Sequence, residues 1–460
     1  MPPQPAFLDS ARSAGYHITM NSSDSSKLSL FPLTAGTNAD GHLCVGGCDT
    51  VALAEEFGTP LYVLDEYTVR HKAREFVSAF QHHYPDSAVV YASKALLNPA
   101  LARILAEEGL GLDVVSGGEL SIARFAGFPM ERVYFHGNNK TPEELDLALE
   151  LGVGRIVVDN LYELAQLDEL AARKGRNQDI LLRITPGVDP HTHQHTTTGT
   201  VDSKFGFPLE TGQAEEAVRR SAAAANLSTV GLHFHLGSPI FDVAPYQRAI
   251  EIVLRFARDM ERSHGLQLGE LDIGGGYAVQ YTRGPRVLAT EDYAEAIADT
   301  LTSLVRDLGI GSPTLVTEPG RAIVGQAGLA LYRTGAIKET PGVRKYVCVD
   351  GGMNDNIRPA LYGAAYEALL ANRALEPEND FVSIAGKLCE SGDILVRDTH
   401  MATAAPGDLV AIPVCGAYCI SMWSNYNAAC RPAIVMTGDG AARLIRRRET
   451  YRDLTGLDVS

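Results

Sequence analysis

Positive charge is scarce in this sequence of 460 residues. It has 40 Lys and Arg against 56 Asp and Glu, which gives a formal net charge of −16 at pH 7. A chain with this acidic balance has no general attraction to nucleic acid or to an anionic membrane surface. Runs that are long and apolar enough to span a bilayer are also absent, and so is a secretory signal. We therefore expect neither a nucleic-acid partner nor a membrane location.

Cysteine is sparse, and its spacing fits neither a disulfide framework nor a metal site. Seven cysteines in a chain of this length, an odd number, are not typical of a disulfide-stabilised protein. Three residues separate Cys44 from Cys48 and Cys415 from Cys419, but neither pair has the matching second pair of a zinc site. We expect structural cysteines, no metal, and a reducing cytoplasm.

The length of the chain predicts more than one domain. Hydrophobic residues make up 45% of it, enough for a substantial core, and 460 residues exceed one ordinary domain. Residues 1–27 are rich in Ser, Pro and Asn, which is typical of a poorly ordered extension. Two folded domains are therefore expected after this extension.

From about residue 66, short β-rich runs alternate with segments of helical periodicity. Segments such as 98–109, 141–152 and 246–263 have apolar residues at spacings of three to four and read as amphipathic helices. Eight strand–helix units in roughly 250 residues predict a TIM-type (β/α)8 barrel, with a doubly wound open sheet as the alternative. The eight β-rich runs are AVVYAS (88–93), LGLDVVS (110–116), RVYFHG (132–137), RIVVDN (155–160), ILLRITP (180–186), TVGLHFHLGS (229–238), LDIGGGY (271–277) and TLVTEPGR (314–321).

After about residue 326 the pattern becomes mostly β. Runs such as GLALYRTGAIKE, RKYVCVDGG and GDLVAIPVCGAY are separated by Gly, Pro and Asp turns. GHLCVGG and TPLYVLDE, which precede the barrel, have the same character. We therefore predict a β domain built from residues 28–65 and 326–460, with the barrel, residues 66–325, inserted between them.

The predicted strands end in polar groups, and in such a barrel the chemistry lies where strands end. Any one of these groups could be structural. Eight at the same relative position are hard to explain in that way. The groups are Lys94, Asp113, His136, Asp159, Arg183, His235, Gly274–Gly276, and Glu318 with Arg321.

Lys94 lies between an apolar strand and a helix, in YASKALLNP. In surroundings of low dielectric constant a lysine loses affinity for its proton and becomes a better nucleophile. The alternative is a lysine whose stem is buried while its ammonium group stays in water. The polar groups at the other strand ends favour the first interpretation, in which Lys94 bonds to an aldehyde.

The remaining groups match the other parts of one cofactor. Gly274–Gly276 and Gly320 let backbone N–H groups approach a phosphate, and Arg321 adds a forked cation. Glu318 can hold a proton on a ring nitrogen, and His235 offers a flat face for stacking. An aldehyde, a ring nitrogen and a phosphate together describe pyridoxal 5'-phosphate (PLP).

Many segments between Gly41 and Tyr426 resemble, in order, those of PLP enzymes of the alanine-racemase-like class. Within that class the chain resembles the family of ornithine, diaminopimelate and arginine decarboxylases, and in particular its diaminopimelate decarboxylases. The resemblance implies a PLP barrel and a β domain in a head-to-tail homodimer with active sites shared across the interface. The segments include YASKALLNP, GLDVVSGGEL, VYFHGNNKT, GLHFHLGS, LDIGGGY, TEPGRAIVG, VDGGMNDNIRPALYGA, CESGDIL and GAYCISMWSNYN.

The resemblance also implies a role for single residues at the cofactor. Lys94 bonds to the cofactor aldehyde, His235 stacks on the ring, and Glu318 pairs with the ring nitrogen. The other residues implied around the cofactor are Asp113, Ser238, Gly275, Gly276, Pro319, Gly320, Arg321 and Tyr418.

For the substrate, the resemblance implies contacts from both subunits. Cys389 is the candidate proton donor after carbon dioxide leaves, and it would act in the active site of the partner subunit, as would Glu390. Arg358 would receive the far carboxylate of diaminopimelate and would repel a substrate that ends in an amine. The substrate-binding residues implied are Arg321, Arg358, Tyr362, Glu390 and Tyr418.

The activity that the resemblance implies is decarboxylation of meso-2,6-diaminopimelate to L-lysine and CO2, the last step of lysine biosynthesis. The alternative is a related PLP decarboxylase of the ornithine, lysine, arginine or carboxynorspermidine type. An amino acid racemase should lack CESGD. A PLP-binding homologue without activity would not need Lys94, Glu318 and Cys389 intact.

One histidine-rich run needs separate interpretation. In HTHQHTTTG, His191, His193 and His195 would share a face of an extended segment, which suggests a metal site. The resemblance instead places the run in a flexible loop over the active site. We expect a lid rather than a metal site.

Overall fold

The computed structural model describes residues 27–189, 199, 203–284 and 286–459. Residues 1–26 of the predicted extension and the predicted lid with His191, His193 and His195 lie outside the described residues.

Eight parallel strands form a closed barrel. Each strand pairs with the next in sequence, and the eighth pairs with the first, where Leu315 lies opposite Ser87. This closure confirms the predicted (β/α)8 barrel, and the open sheet is wrong. The strands are Ser87–Ala92, Gly111–Val114, Val133–Phe135, Arg155–Val158, Gln178–Thr185, Leu227–His233, Glu270–Asp272 and Thr314–Thr317.

Helices follow the strands and surround the barrel. The predicted helix starts have the expected caps: Asn98 accepts hydrogen bonds from two backbone N–H groups, and Thr141 forms a capping box with Glu144. Helix Glu66–His83 precedes the first strand. The helices after the eight strands are Pro99–Glu107, Gly117–Ala126, Pro142–Leu151, Leu161–Lys174, Gln213–Ala223, Ala244–His264, Thr290–Leu308 and Arg321–Val324.

The barrel interior has two layers of side chains. Because side chains alternate along a strand, residues two apart point to the same side. Five strands place an apolar residue in a buried cluster, which we call the lower layer: Val90, Tyr134, Val157, Leu181 and Val316. Two residues further along four of these strands come buried polar groups, which we call the upper layer: His136, Asp159, Arg183 and Glu318.

The second domain is a β-sheet built from both ends of the chain. Strand Leu61–Asp65, before the barrel, pairs in parallel with Ala433–Gly438 and antiparallel with Gly328–Thr340. This pairing supports residues 28–65 with 326–460 and residues 66–325 as the two domains, which we propose as boundaries. The other strands are Arg344–Val349, Leu369–Leu370, Asp380–Ala385, Ile394–Met401, Leu409–Ile412 and Ala441–Arg446.

Smaller elements complete the structure. A three-stranded sheet and helix Thr50–Phe57 pack at the start of the β domain, and a short helix, Arg358–Tyr362, lies above the barrel mouth. Within the described residues, every helix is too short or too polar to cross a bilayer. The remaining elements are strands Gly36–Thr37, Leu43–Val45, Cys48–Asp49 and Phe207–Pro208, 3-10 turns Ser93–Ala95, Met130–Arg132, Ala371–Arg373, Ile420–Met422 and Tyr426–Ala428, and helix Tyr451–Thr455.

Candidate active site

A cavity of about 760 Å³ opens at the carboxyl ends of the barrel strands, below the β domain. It brings together residues that are far apart in the sequence. Of the predicted site residues, its wall contains Lys94, His235, Ser238, Gly275, Gly276, Glu318, Gly320, Arg321, Arg358, Tyr362 and Tyr418. Asp113 lies behind Lys94. The carbonyl of Pro319 ties the eighth strand to the first by accepting a hydrogen bond from the N–H of Ala92.

Lys94 projects into the cavity from a single 3-10 turn, Ser93–Ala95, directly after the first strand. Its Nζ lies 3.5 Å from Oδ2 of Asp113, which is buried. Desolvation lowers the pKa of Lys94, but Asp113, Tyr418 and Glu318 together outweigh it, and the net pKa lies above its usual value. The expectation that a low dielectric constant alone lowers the pKa of this lysine is therefore wrong for the protein without substrate.

Glu318 lies in the upper layer against two histidines. Its Oε1 is 2.7 Å from Nε2 of His136, and its Oε2 is 3.5 Å from Nε2 of His233. Burial favours the neutral acid, but the two histidines outweigh burial and hold the pKa of Glu318 well below its usual range. Burial lowers the pKa of His233 to about 3. Glu318 is thus an anion and His233 a neutral ring at neutral pH.

Asp272 stands beside Glu318 in the same buried cluster. Its Oδ1 accepts a hydrogen bond of 2.9 Å from the N–H of Gly274, and one oxygen of Asp272 lies within 4.8 Å of the Glu318 carboxylate. Burial raises the pKa of Asp272 well above its usual value, and the charge of Glu318 adds to this effect. The two pKa shifts therefore favour the ionised form of Glu318 and the neutral form of Asp272.

His235 presents its ring at the side of the cavity. Its Nδ1 lies 3.2 Å from the N–H of Gly275, which donates to it. Burial lowers the pKa of His235 well below its usual value, and the cations Lys94 and Arg183 lower it further. A neutral imidazole held by the backbone has the flat face that stacking requires.

Two buried arginines line the same cavity with tyrosines as their partners. Arg321 donates a 2.6 Å hydrogen bond to the hydroxyl of Tyr281, and Arg358 donates to the hydroxyl of Tyr366. Among the described residues, neither guanidinium forms an ion pair with an Asp or Glu, although both side chains are buried. Buried charges are ordinarily paired, so this arrangement favours binding of an anion.

The family of the chain follows from comparison with known proteins. Residues 69–325, the barrel, match the family model described as pyridoxal-dependent decarboxylase, pyridoxal binding domain. The chain belongs to this family. It is 48% identical to the diaminopimelate decarboxylase of Bacillus subtilis over 93% of this chain and 97% of that one. It is 44% identical to the Synechocystis diaminopimelate decarboxylase, over 95% and 94%.

Solved structures of relatives have the same fold. The crystal structure of diaminopimelate decarboxylase from M. jannaschii in complex with L-lysine superposes with a TM-score of 0.87 at 37% identity. The match covers 93% of this chain and 98% of that one. The Helicobacter pylori diaminopimelate decarboxylase, also in complex with L-lysine, superposes with a TM-score of 0.80 at 31% identity. That match covers 89% of this chain and 99% of the other.

The residues of the cavity fit PLP, the cofactor of the family. Within the described part of the chain, Asp113 Oδ1 and Arg321 Nε are buried without a hydrogen-bond partner. Nε of Arg321 can donate to a phosphate, and the Glu318 carboxylate, which lies beside His136 and His233, can accept from a protonated ring nitrogen. A Cβ on Gly276 would lie 2.4 Å from the carbonyl of Gly237, so only glycine leaves this backbone turn open.

Cys389 and Glu390 lie outside the described wall of the cavity in their own chain. Both are exposed; the N–H of Cys389 donates to Asn427, and the Tyr426 hydroxyl lies 3.5 Å from Glu390. The described wall of the cavity therefore contains neither of these two predicted residues.

Sequence analysis gave no role to several residues of the site. His136, Arg183 and His233 are at strand ends, and the upper-layer positions of His136 and Arg183 could have been found from the spacing of two. Asp272 was visible only as a polar residue in an otherwise apolar strand. Tyr281 lies in a loop, where no periodicity points to it.

Proposed function

We propose that the protein catalyses the PLP-dependent decarboxylation of meso-2,6-diaminopimelate to L-lysine and CO2, the last step of lysine biosynthesis. The names of its relatives support this activity. The observation that carries it is Arg358, a buried cation without a carboxylate partner among the described residues, in the same cavity as Lys94. A substrate with a second carboxylate supplies the missing anion.

In this proposal the residues around the cofactor have separate roles. Lys94 would hold the cofactor at its aldehyde and give way there to the substrate amine, and the anionic Glu318 would keep a proton on the ring nitrogen. When bound, PLP would supply an electron sink for the pair that departing CO2 leaves behind. His235 stacks against the ring. Residues Ser238, Gly276, Gly320, Arg321 and Tyr418 surround the phosphate, with Asp113 beside Lys94. Arg321 and Tyr418 also face the substrate, so that Arg321 and Arg358 both lie near its far carboxylate.

Substrate choice rests on the short helix Arg358–Tyr362 of the β domain. Arg358 receives the far carboxylate, and Tyr362, in the cavity wall, adds a hydroxyl. A substrate that ends in an amine would bring a second cation against Arg358 in a desolvated cavity, which is unfavourable. This repulsion favours diaminopimelate over ornithine or lysine.

We further propose a homodimer in which Cys389 and Glu390 complete the active site of the partner subunit. Their exposure outside the cavity of their own chain supports this arrangement. Cys389 would return a proton to the reacting carbon, and Glu390 would pair with the far ammonium group of the substrate. All seven cysteines are free thiols, which supports a reducing cytoplasm as the location.

The test is CO2 release from four substrates. The purified protein with PLP is incubated separately with meso-diaminopimelate, lysine, ornithine and arginine. We expect release from diaminopimelate alone. Release only from a substrate that ends in an amine or guanidinium would support PLP as the cofactor but contradict diaminopimelate as the substrate. No release from any of the four would contradict the proposed decarboxylase activity.

A matched variant sharpens this test. Arg358→Leu removes the cation but keeps an apolar stem, and we expect it to lower kcat/KM for diaminopimelate by about 10²-fold, as for the loss of a charged hydrogen-bonded partner. If this variant prefers diaminopimelate over the other three substrates as strongly as the wild type does, Arg358 does not determine the choice of substrate.

A further inference from the structure

The two buried arginines of the cavity share one aromatic ring, that of Tyr281. The hydroxyl of Tyr281 accepts the 2.6 Å hydrogen bond from Nη1 of Arg321. The guanidinium carbon of Arg358 lies 4.5 Å from the centroid of the same ring. Tyr281 therefore contacts both cations, each through a different part of its side chain.

This arrangement suits the charge distribution of a tyrosine. The face of the ring is electron-rich and attracts a guanidinium, while the phenolic oxygen accepts a hydrogen bond in the ring plane. Two like charges on buried side chains repel each other more strongly than they would at the surface. A single neutral ring between Arg321 and Arg358 stabilises both cations without using the negative charge of a carboxylate. Their charge is thus left for a ligand.

The position of the Tyr281 ring is itself set by a second tyrosine. Tyr366 packs edge-on against it, with centroids 5.3 Å apart and planes at 83°. Tyr366 also accepts a hydrogen bond from Arg358. Tyr281 belongs to the barrel, whereas Arg358 and Tyr366 belong to the β domain. The contact therefore fixes Arg358 relative to the groups at the barrel mouth.

We propose that Tyr281 is a positioning residue that holds Arg321 and Arg358 as one carboxylate-binding unit and so contributes to the preference for a substrate with a second carboxylate. This inference rests on the proposed function, because it assigns the two arginines to that substrate. Tyr281 contacts the arginines and acts through them.

Two ligands of equal chain length separate this role from mere packing. L-lysine has a carboxylate, and cadaverine is the same molecule without it. The dissociation constant of each is measured on the holoenzyme from the absorbance change of the bound cofactor. The ratio of the two constants reports carboxylate recognition alone, without turnover.

The variants are Tyr281→Leu, which removes both contacts, and Tyr281→Phe, which keeps the ring beside Arg358 and loses only the hydroxyl. Tyr162→Phe, on an exposed helix of the barrel, is the matched control. We expect the preference for L-lysine to fall about tenfold in Tyr281→Leu and about threefold in Tyr281→Phe, from the loss of a cation–π contact and a hydrogen bond. The control should keep the wild-type ratio.

The outcomes distinguish this inference from the proposed function. A wild-type protein that binds both ligands equally would overturn the assignment of the arginines and this inference with it. A wild-type preference that both variants retain would overturn the role of Tyr281 alone. If Tyr281→Leu fails to fold or to bind PLP, the ratio in Tyr281→Phe decides.

Discussion

The same strands contribute apolar side chains to the lower layer of the barrel and polar side chains to the upper layer. In the lower layer, side chains such as Val90, Leu181 and Val316 form a buried apolar cluster that fills the interior. Two residues later, Arg183 and Glu318 are also buried but charged. Apolar packing stabilises the barrel wherever it occurs, whereas a buried charge is tolerated only with partners. One strand thus supplies stability at one position and chemistry at the next inward-facing position.

The largest expected effect concerns Lys94, which stands beyond the upper layer at the cavity. Lys94→Ala should abolish turnover, because the cofactor loses its covalent anchor, while the fold is kept because the side chain is partly exposed. CO2 release and thermal unfolding of the same preparation provide the measurement. A variant that kept full activity would contradict the assignment.

A pair of substitutions on the eighth strand compares the layers directly. Glu318→Gln should lower kcat by about 10²-fold, because a neutral amide does not favour a proton on the ring nitrogen. Val316→Ala should leave kcat unchanged and lower the free energy of unfolding by about 2 kcal/mol, through lost burial and the cavity it leaves. Urea unfolding and steady-state kinetics of both variants test the comparison. An equal loss of kcat in Val316→Ala and Glu318→Gln would show that the two layers do not differ in their contribution to catalysis.

The lowered pKa of the buried His233 predicts that the stability of the folded protein depends on pH. Its pKa is about 3 in the folded protein against 6.5 for a free histidine. Between these values the unfolded chain takes up a proton that the folded chain does not, so stability is fully present above pH 6.5 and falls as the pH is lowered towards 3. This contribution amounts to at most about 1.4 kcal/mol per pH unit.

The variant His233→Gln removes that titration. The free energy of unfolding of wild type and variant, measured in urea at pH 7 and pH 5, should differ in its pH slope, with the smaller loss in the variant. Equal slopes would show that His233 does not stay neutral in the folded state.

The smallest effect is expected at Asp272. Because burial and the charge of Glu318 raise the pKa of Asp272 and so favour its neutral form, Asp272→Asn replaces that form with a neutral amide. We expect kcat, and the ratio of protonated to neutral cofactor read from the absorption spectrum, to change by less than about threefold. Loss of a neighbouring charge would shift that ratio by about tenfold or more. A large spectral change would show that Asp272 is ionised.

The barrel could be predicted because its strands and helices are regular. Apolar runs bounded by turns predicted all eight strands, and periodicity of three to four predicted helices such as Pro142–Leu151. Spatial relations without a period could not be predicted. The approach of Asp113 to Lys94, which helps to reverse the expected shift of the lysine pKa, depends on how two strands pair. Tyr281 depends on the path of a loop.

Cys389 and Glu390 illustrate a different limit. Their motif predicted a role at an active site, but the cavity of one chain does not contain them among its described lining residues. A sequence carries no direct signal for which subunit uses a residue. Their roles stay predictions that depend on the proposed homodimer.

The central claim is that buried arginines select a substrate with two carboxylates and hold one end while the other end reacts. Identifying the product made from pure meso-diaminopimelate tests this claim most directly. The purified protein with PLP should release one CO2 for each lysine formed, and the lysine should be the L enantiomer only. Formation of D-lysine, or no lysine at all, would contradict the account.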